Sequence, residues 1–262
     1  MISLKKVCTT FVATCALSLS FSTAALADSP AERESGNPPL IIGGSQETSP
    51  WAVQLRFSVQ GSSGTSGCTG EQLNAEWVLT AKHCVEGAYD MKVYHSNDQV
   101  NPGTAVSASN LYSAPSGDIA LIKLDSPVSL TSYPELDLGY SPQAGDSGVI
   151  MGYGLGAWDQ PTTTLRSATV RVVGNSTDAY GGPAANLQGV SGAANRGDSG
   201  GPLLIDGRIV AVCSTGDIAP GGNINAESNY ALLSQSAAWI QETTGIVSTS
   251  TDYVPSVDDI AA

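Results

Sequence analysis

Short apolar runs of four to eight residues recur along the chain between clusters of glycine, proline and small polar residues. Ala52–Val59, Trp77–Thr80, Asp118–Leu124, Gly148–Met151, Ala168–Val173, Pro202–Ile205 and Arg208–Cys213 read as strands, because such runs suit half-buried or buried strands bounded by turn residues. Ser234–Thr243 is the one credible helix, with Leu232, Leu233, Ala237, Trp239 and Ile240 available for packing. Strands at this spacing suit barrels or sandwiches. No internal repeat or low-complexity linker divides the body.

The two ends differ from the body. Residues 1–27 read as a secretory signal, with basic Lys5 and Lys6, an apolar stretch from about Val7, and a small-residue cleavage site at Ala25-Leu26-Ala27. A retained membrane anchor is disfavoured by the serine and threonine content of that stretch, and Cys15 sits in a poor setting for lipoprotein processing. The tail at 248–262 carries Asp252, Asp258 and Asp259 and is expected to be flexible.

Composition narrows the class. With 29 glycines and 13% charged residues among 262, the chain suits a loop-rich β protein better than a helical bundle. The net charge of −13 argues against nucleic acid or an anionic membrane as partner. Removal of leader and propeptide together leaves it unchanged, since residues 1–40 hold Lys5, Lys6 and Arg33 against Asp28, Glu32 and Glu34.

The chemistry is concentrated in Gly197-Asp198-Ser199-Gly200-Gly201-Pro202. Glycines around one serine let the backbone take conformations barred to residues with a Cβ, and the Gly197 and Ser199 amides are placed to meet a developing oxyanion. Upstream stand Leu79-Thr80-Ala81-Lys82-His83-Cys84 and Gly117-Asp118-Ile119-Ala120-Leu121. A histidine, an aspartate and a serine in that order resemble the chymotrypsin/trypsin-like serine peptidases, over roughly Ile41 to Thr244. Ile41-Ile42-Gly43-Gly44 and Ala238-Trp239-Ile240 strengthen the likeness.

The resemblance implies an all-β domain over 41–247, built of two six-stranded antiparallel β-barrels with the active site between them and a C-terminal helix. It implies that His83 is the base, that Asp118 holds its tautomer, and that Ser199 is the nucleophile; His95 is the only other histidine and has no motif around it. It implies a zymogen with a propeptide at 28–40, whose cleavage frees Ile41 to pair with Asp198. Leu40 precedes that cut with Pro38 and Pro39 behind, so a trypsin-like activator is disfavoured and self-processing is the alternative. In the pocket, Ala193 stands where trypsin-like members hold an aspartate. The resemblance implies that Ala194, Gly216 and Ser228 line the rest and that Ser214 pairs with substrate backbone and sits behind Asp118; Arg196 either leans over the rim or is a solvated loop arginine. An uncharged pocket favours apolar side chains before the cut.

After the signal leaves, Cys68, Cys84 and Cys213 remain. Cys68 with Cys84 is the natural pair, closing a loop of about 15 residues worth on the order of 3 kcal/mol. Cys213 is left as a buried apolar thiol. The disulfide that usually braces the pocket is absent, with Asn195 at one half-site. Lys82, in place of the alanine that most animal relatives carry, must reach solvent or an acid. No cofactor or metal is expected, and the partners are protein or peptide substrates of a secreted monomer. Compact loops and few disulfides favour a bacterial source. The alternatives are a catalytically silent trypsin-fold binding protein, which typically lacks a triad member, and an α/β esterase, whose fold needs parallel strands alternating with helices around its Gly-x-Ser-x-Gly elbow, whereas here the serine lies in Gly-Asp-Ser-Gly among short strands.

Overall fold

The computed structural model describes residues 41–248; the expected leader, propeptide and most of the acidic tail lie outside them. The first barrel closes in the order β2-β3-β4-β7-β6-β5. Its strands are β2 (Ala52–Val59), β3 (Ser66–Gln72), β4 (Trp77–Thr80), β5 (Ala88–Tyr94), β6 (Val106–Ser113) and β7 (Ala120–Leu124). The second comprises β8 (Ser147–Gly152), β9 (Arg166–Thr177), β10 (Pro183–Gly189), β11 (Pro202–Ile205), β12 (Arg208–Gly216) and β13 (Glu227–Leu232), with the short β1 (Ser45–Gln46) added on β9. It closes because β8 pairs with both β9 and β11. All these pairings are antiparallel, as expected for two barrels of six strands.

Alternation along β2 shows why the first barrel forms. Val53, Leu55 and Phe57 enter its core with Val78, Val93 and Ile122, while Gln54, Arg56 and Ser58 take the opposite face. Ile150, Val170, Leu187, Leu203 and Tyr230 fill the second barrel. A third cluster, with Leu79 and Leu121 from one barrel, Ile209 and Val212 from the other, and Ile240 from the helix, welds the two together.

Of the seven expected strands, three keep their bounds; β8, β9 and β12 are longer, and β7 begins two residues later than its apolar run. The helix departs further: Leu233–Ser236 is a 3-10 turn, and the α-helix α1 spans Ala237–Thr244. Gly245 ends it at φ 72°, the left-handed position glycine adopts without strain. Ser248 is not loose: its Oγ accepts the Leu138 amide at 3.0 Å and donates to Leu136 O. The strands missing from the pattern are polar or glycine-broken. In β6 every residue is half-buried or exposed, and in β3 Gly70 lets the backbone of Leu79 come close, since a Cβ there would lie 2.9 Å from its carbonyl.

β3 also carries an anomaly. Glu71 lies fully buried on the face away from the first core, and neither carboxyl oxygen has a hydrogen-bond partner among the described residues. Burial drives its pKa well above the ordinary glutamate value, so the carboxyl is held neutral.

Candidate active site

Strand β4 runs into a single 3-10 turn, Lys82–Cys84, that delivers His83 half-buried at the cleft. The Cys68–Cys84 disulfide, with Cα atoms 6.3 Å apart, fastens this turn to β3. Asp118 precedes β7 and is fully buried. Its Oδ2 lies 2.7 Å from His83 Nδ1 and accepts the Ser214 hydroxyl at 2.6 Å, while Oδ1 accepts the His83 amide at 2.9 Å. Burial alone would raise the Asp118 pKa; the His83 hydrogen bond and charge, the Ser214 hydroxyl and the His83 amide together hold it below the ordinary value. The carboxylate is therefore ionised and aimed at one ring nitrogen, which leaves the other directed elsewhere.

Two residues that no motif announced fix this geometry. Asp178 accepts the amides of Asp118 at 3.0 Å and of Tyr180 and Gly182 at 2.9 Å, and takes a bond from Gln235. Thr69 on β3 reaches across to the loop that carries Ser199: its amide donates to Ser199 O at 2.9 Å and its hydroxyl to Gly197 O at 3.0 Å. The Ser199 loop of the second barrel is thus pinned by a strand of the first. Asp178 left only the turn signal of Gly181-Gly182, and Thr69 left none beyond its place beside Cys68.

Turning of the 195–201 loop depends on Gly197 and Gly200, at φ 93° and 79°. A Cβ on Gly200 would stand 2.1 Å from Thr80 Oγ1 and 2.6 Å from Thr69 O. Within the loop the Arg196, Asp198, Gly200 and Gly201 amides all find protein acceptors. Those of Gly197 and Ser199 find none among the described residues, which leaves two donors for an oxyanion. Asp198, between them, is buried and accepts the amides of Gly154 and Asn195 at 2.8 Å each. Burial pushes its pKa up to about 7 against those bonds, and no cation stands within ion-pair reach among the described residues. Ile41 is buried in the core of the same barrel, and Ile42 bridges to Ala193, whose amide donates to Ile42 O at 2.8 Å.

Next to Ser199 lies a cavity of about 320 Å³ whose walls include Ala194, Arg196, Ser214 and Gly216, together with Cys213 and Ile218. Ala193 and Ser228, expected in its lining, are instead buried behind it: Ala193 is held by Ile42, and Ser228 lies in the β12–β13 ladder opposite Gly216. Cys213 is a buried free thiol whose pKa burial raises, so it stays protonated. Arg196 pairs with Asp159 at the rim, and Asn195 donates to Gly156 O and Asp159. Asp159 is presented by two successive left-handed residues, Trp158 and Asp159 at φ 56° and 57°. This latch holds the segment where the bracing disulfide is missing.

Lys82 turns out to need no acid. Its Nζ sits 4.5 Å from the Tyr180 ring centroid, where the ring face accepts the charge, and Tyr180 donates in turn to Glu86 at 2.5 Å. His95 is tied to Gln72 in the first barrel, away from the cleft loops. The one grouping of metal-binding residue types among the described residues is Cys68, His83 and Cys84, and its cysteines are joined in the disulfide and offer no thiolate.

The comparisons agree with this picture. A profile of the trypsin family matches residues 41–240. Human kallikrein-4 is 29% identical over 232 residues, covering 80% of this chain and 89% of its own length. Trypsin alpha of Drosophila melanogaster is 30% identical over 203 residues, 67% of this chain and 77% of its own. Among solved structures, neuropsin, a serine protease expressed in the limbic system of mouse brain, superimposes with a TM-score of 0.62 at 25% identity, covering 76% of this chain and 98% of its own. These relatives are animal proteins and give the bacterial expectation no support. With the two closed barrels, the buried acid behind His83 and this match over most of its length, the chain belongs to the trypsin family of serine endopeptidases.

Proposed function

We propose that the chain is a secreted zymogen whose mature form cuts peptide bonds after apolar side chains through an acyl-enzyme. The observation that carries this reading is the line Ser214–Asp118–His83 beside a loop in which the Gly197 and Ser199 amides have no acceptor among the described residues. His83 takes the Ser199 proton as Oγ attacks the carbonyl carbon; the oxyanion is received by the two amides. His83 then passes that proton to the leaving amine, and water repeats the sequence to release the acid. A silent binding protein of the same fold is disfavoured, because no member of this set is missing.

The pocket supports the apolar preference. Ala194, Cys213 and Gly216 line it without charge; of the two charged residues on its wall, Arg196 is turned to Asp159, and the exposed Asp217 accepts the Glu227 amide at 3.1 Å. Activation is supported by Asp198, a buried acid with no cation in ion-pair reach among the described residues, and by Ile41 packed in the same barrel; a new ammonium at Ile41 would neutralise that acid. The Pro38-Pro39-Leu40 junction is itself a segment with leucine before the cut, which fits self-processing in trans. The test is a scan of succinyl-Ala-Ala-Pro-X-anilides with chain beginning at Ile41. kcat/KM for X of Leu or Phe should exceed that for Arg or Lys by about 10- to 100-fold, the worth of burying such a side chain. A preference for Arg or Lys would refute it.

A further inference from the structure

A second cavity, of about 360 Å³, lies on the other side of the oxyanion loop and is bounded by Gly197, Gly67, Cys68 and Arg56, with Arg196 shared between it and the pocket described above. The acyl part of a substrate fills the first pocket, so the chain leaving after the cut passes Gly197 and the Cys68–Cys84 disulfide into this second space. Resting on the peptidase reading, we infer that Arg56 makes the enzyme select substrates with an acidic side chain just after the cut.

The placement of Arg56 follows from strand register. Gln54 stands opposite Thr69, and Arg56 opposite Gly67; paired residues share a face, so Arg56 lies on the face whose Thr69 holds Gly197. Gly67 contributes no side chain, and a Cβ there would make only ordinary contact, which leaves the space beside Arg56 open. The guanidinium is set before substrate arrives. Its Nη2 donates to Gln54 Oε1 at 3.1 Å and to Gln99 O at 2.9 Å, and its carbon lies 5.0 Å from the Tyr94 ring centroid. Nε and Nη1 have no partner among the described residues and remain to donate, each singly, to a carboxylate oxygen.

Charge accounting singles this residue out. Arg196 is paired with Asp159. Further along, a cavity of about 460 Å³ shares Arg56 and Thr65 with this one, and there Lys92 is paired with Asp90 at 2.9 Å. Arg56 alone among these cations has only neutral acceptors among the described residues. In a chain of net charge −13, an uncompensated guanidinium held half-buried beside the catalytic loop is a feature of recognition.

The experiment uses internally quenched peptides with Ala-Ala-Pro-Leu before the cut and Glu, Ala or Lys placed in turn at the first, second and third residues after it, hydrolysed by chain beginning at Ile41. At one of these positions kcat/KM should fall in the order Glu, Ala, Lys, with Glu over Ala by roughly tenfold, the lower range for a charge-assisted hydrogen bond. Arg56→Gln should abolish the ranking and Arg56→Lys should restore part of it. The readout is a ratio within one variant, so partial loss of active enzyme cancels. Equal rates at all three positions, or a ranking that survives Arg56→Gln, would overturn the inference alone. A folded Ile41 chain that cuts none of the peptides would overturn the peptidase reading and the inference with it.

Discussion

Asp118→Asn is expected to lower kcat by about 10⁴-fold, the size this exchange has in a trypsin-like triad, with little change in KM or thermal stability. The wild-type carboxylate accepts three bonds, from the His83 ring, the His83 amide and the Ser214 hydroxyl. An amide of the same shape has one oxygen and one NH2 group. With its oxygen toward the His83 amide, the NH2 group faces both the Ser214 hydroxyl and His83 Nδ1; the reverse orientation would set NH2 against the His83 amide, donor against donor. Where NH2 meets Nδ1, that nitrogen must accept, the ring proton moves to Nε2, and the base can no longer take the Ser199 proton. Asp118 itself lines neither cavity beside the Ser199 loop, so little change in binding is expected. The check is kcat and KM on the leucine anilide beside a thermal melt of each protein. A loss of less than about tenfold would show that His83 does not depend on Asp118, against the charged-partner role.

Glu71 gives the second large effect, on stability. Its folded pKa is raised by burial, so the folded state holds a proton that the unfolded chain releases above the ordinary glutamate value. The contribution is full below that value and is lost as pH rises toward the raised one, at about 1.4 kcal/mol per pH unit. Other titratable groups felt at this seam include Asp198, Cys213 and Tyr230; Asp198, at about 7, titrates in the same window. Comparison with Glu71→Gln isolates the one carboxyl. Denaturant melts of both proteins from pH 5 to pH 8 should show wild type falling more steeply, with the variant the more stable at the alkaline end. Parallel curves would mean that Glu71 finds a partner or water that lets it ionise freely.

The strands that the pattern made legible are those with an unbroken apolar run, such as Pro202–Ile205, or a regular alternation, such as Ala52–Val59. Strands β3 and β6 were hidden because their sequences, SGCTGEQ and VSASNLYS, place small or polar side chains on strand faces, and pairing rather than composition makes them β. The helix was read too early because Leu233–Ser236 obeys apolar spacing but turns as 3-10. His83, Asp118 and Ser199 were legible because short motifs surround them. Thr69, Asp178 and Asp159 were not, since each acts through a backbone bond or a latch to residues far along the chain. The depth of the pocket was also beyond reach: counting from Ser199 gives Ala193 as lining, whereas the bridge to Ile42 draws it behind the wall.

The central claim is that Ser199 becomes a nucleophile once Ile41 is free. The most direct measurement is a fluorophosphonate reaction with chain beginning at Asp28 and chain beginning at Ile41, the adduct located by mass spectrometry. Rapid, stoichiometric labelling on Ser199 in the Ile41 form, slow labelling in the Asp28 form and none in Ser199→Ala is the expected result. A folded Ile41 form that stays unlabelled, or labelling that persists in Ser199→Ala, would contradict it.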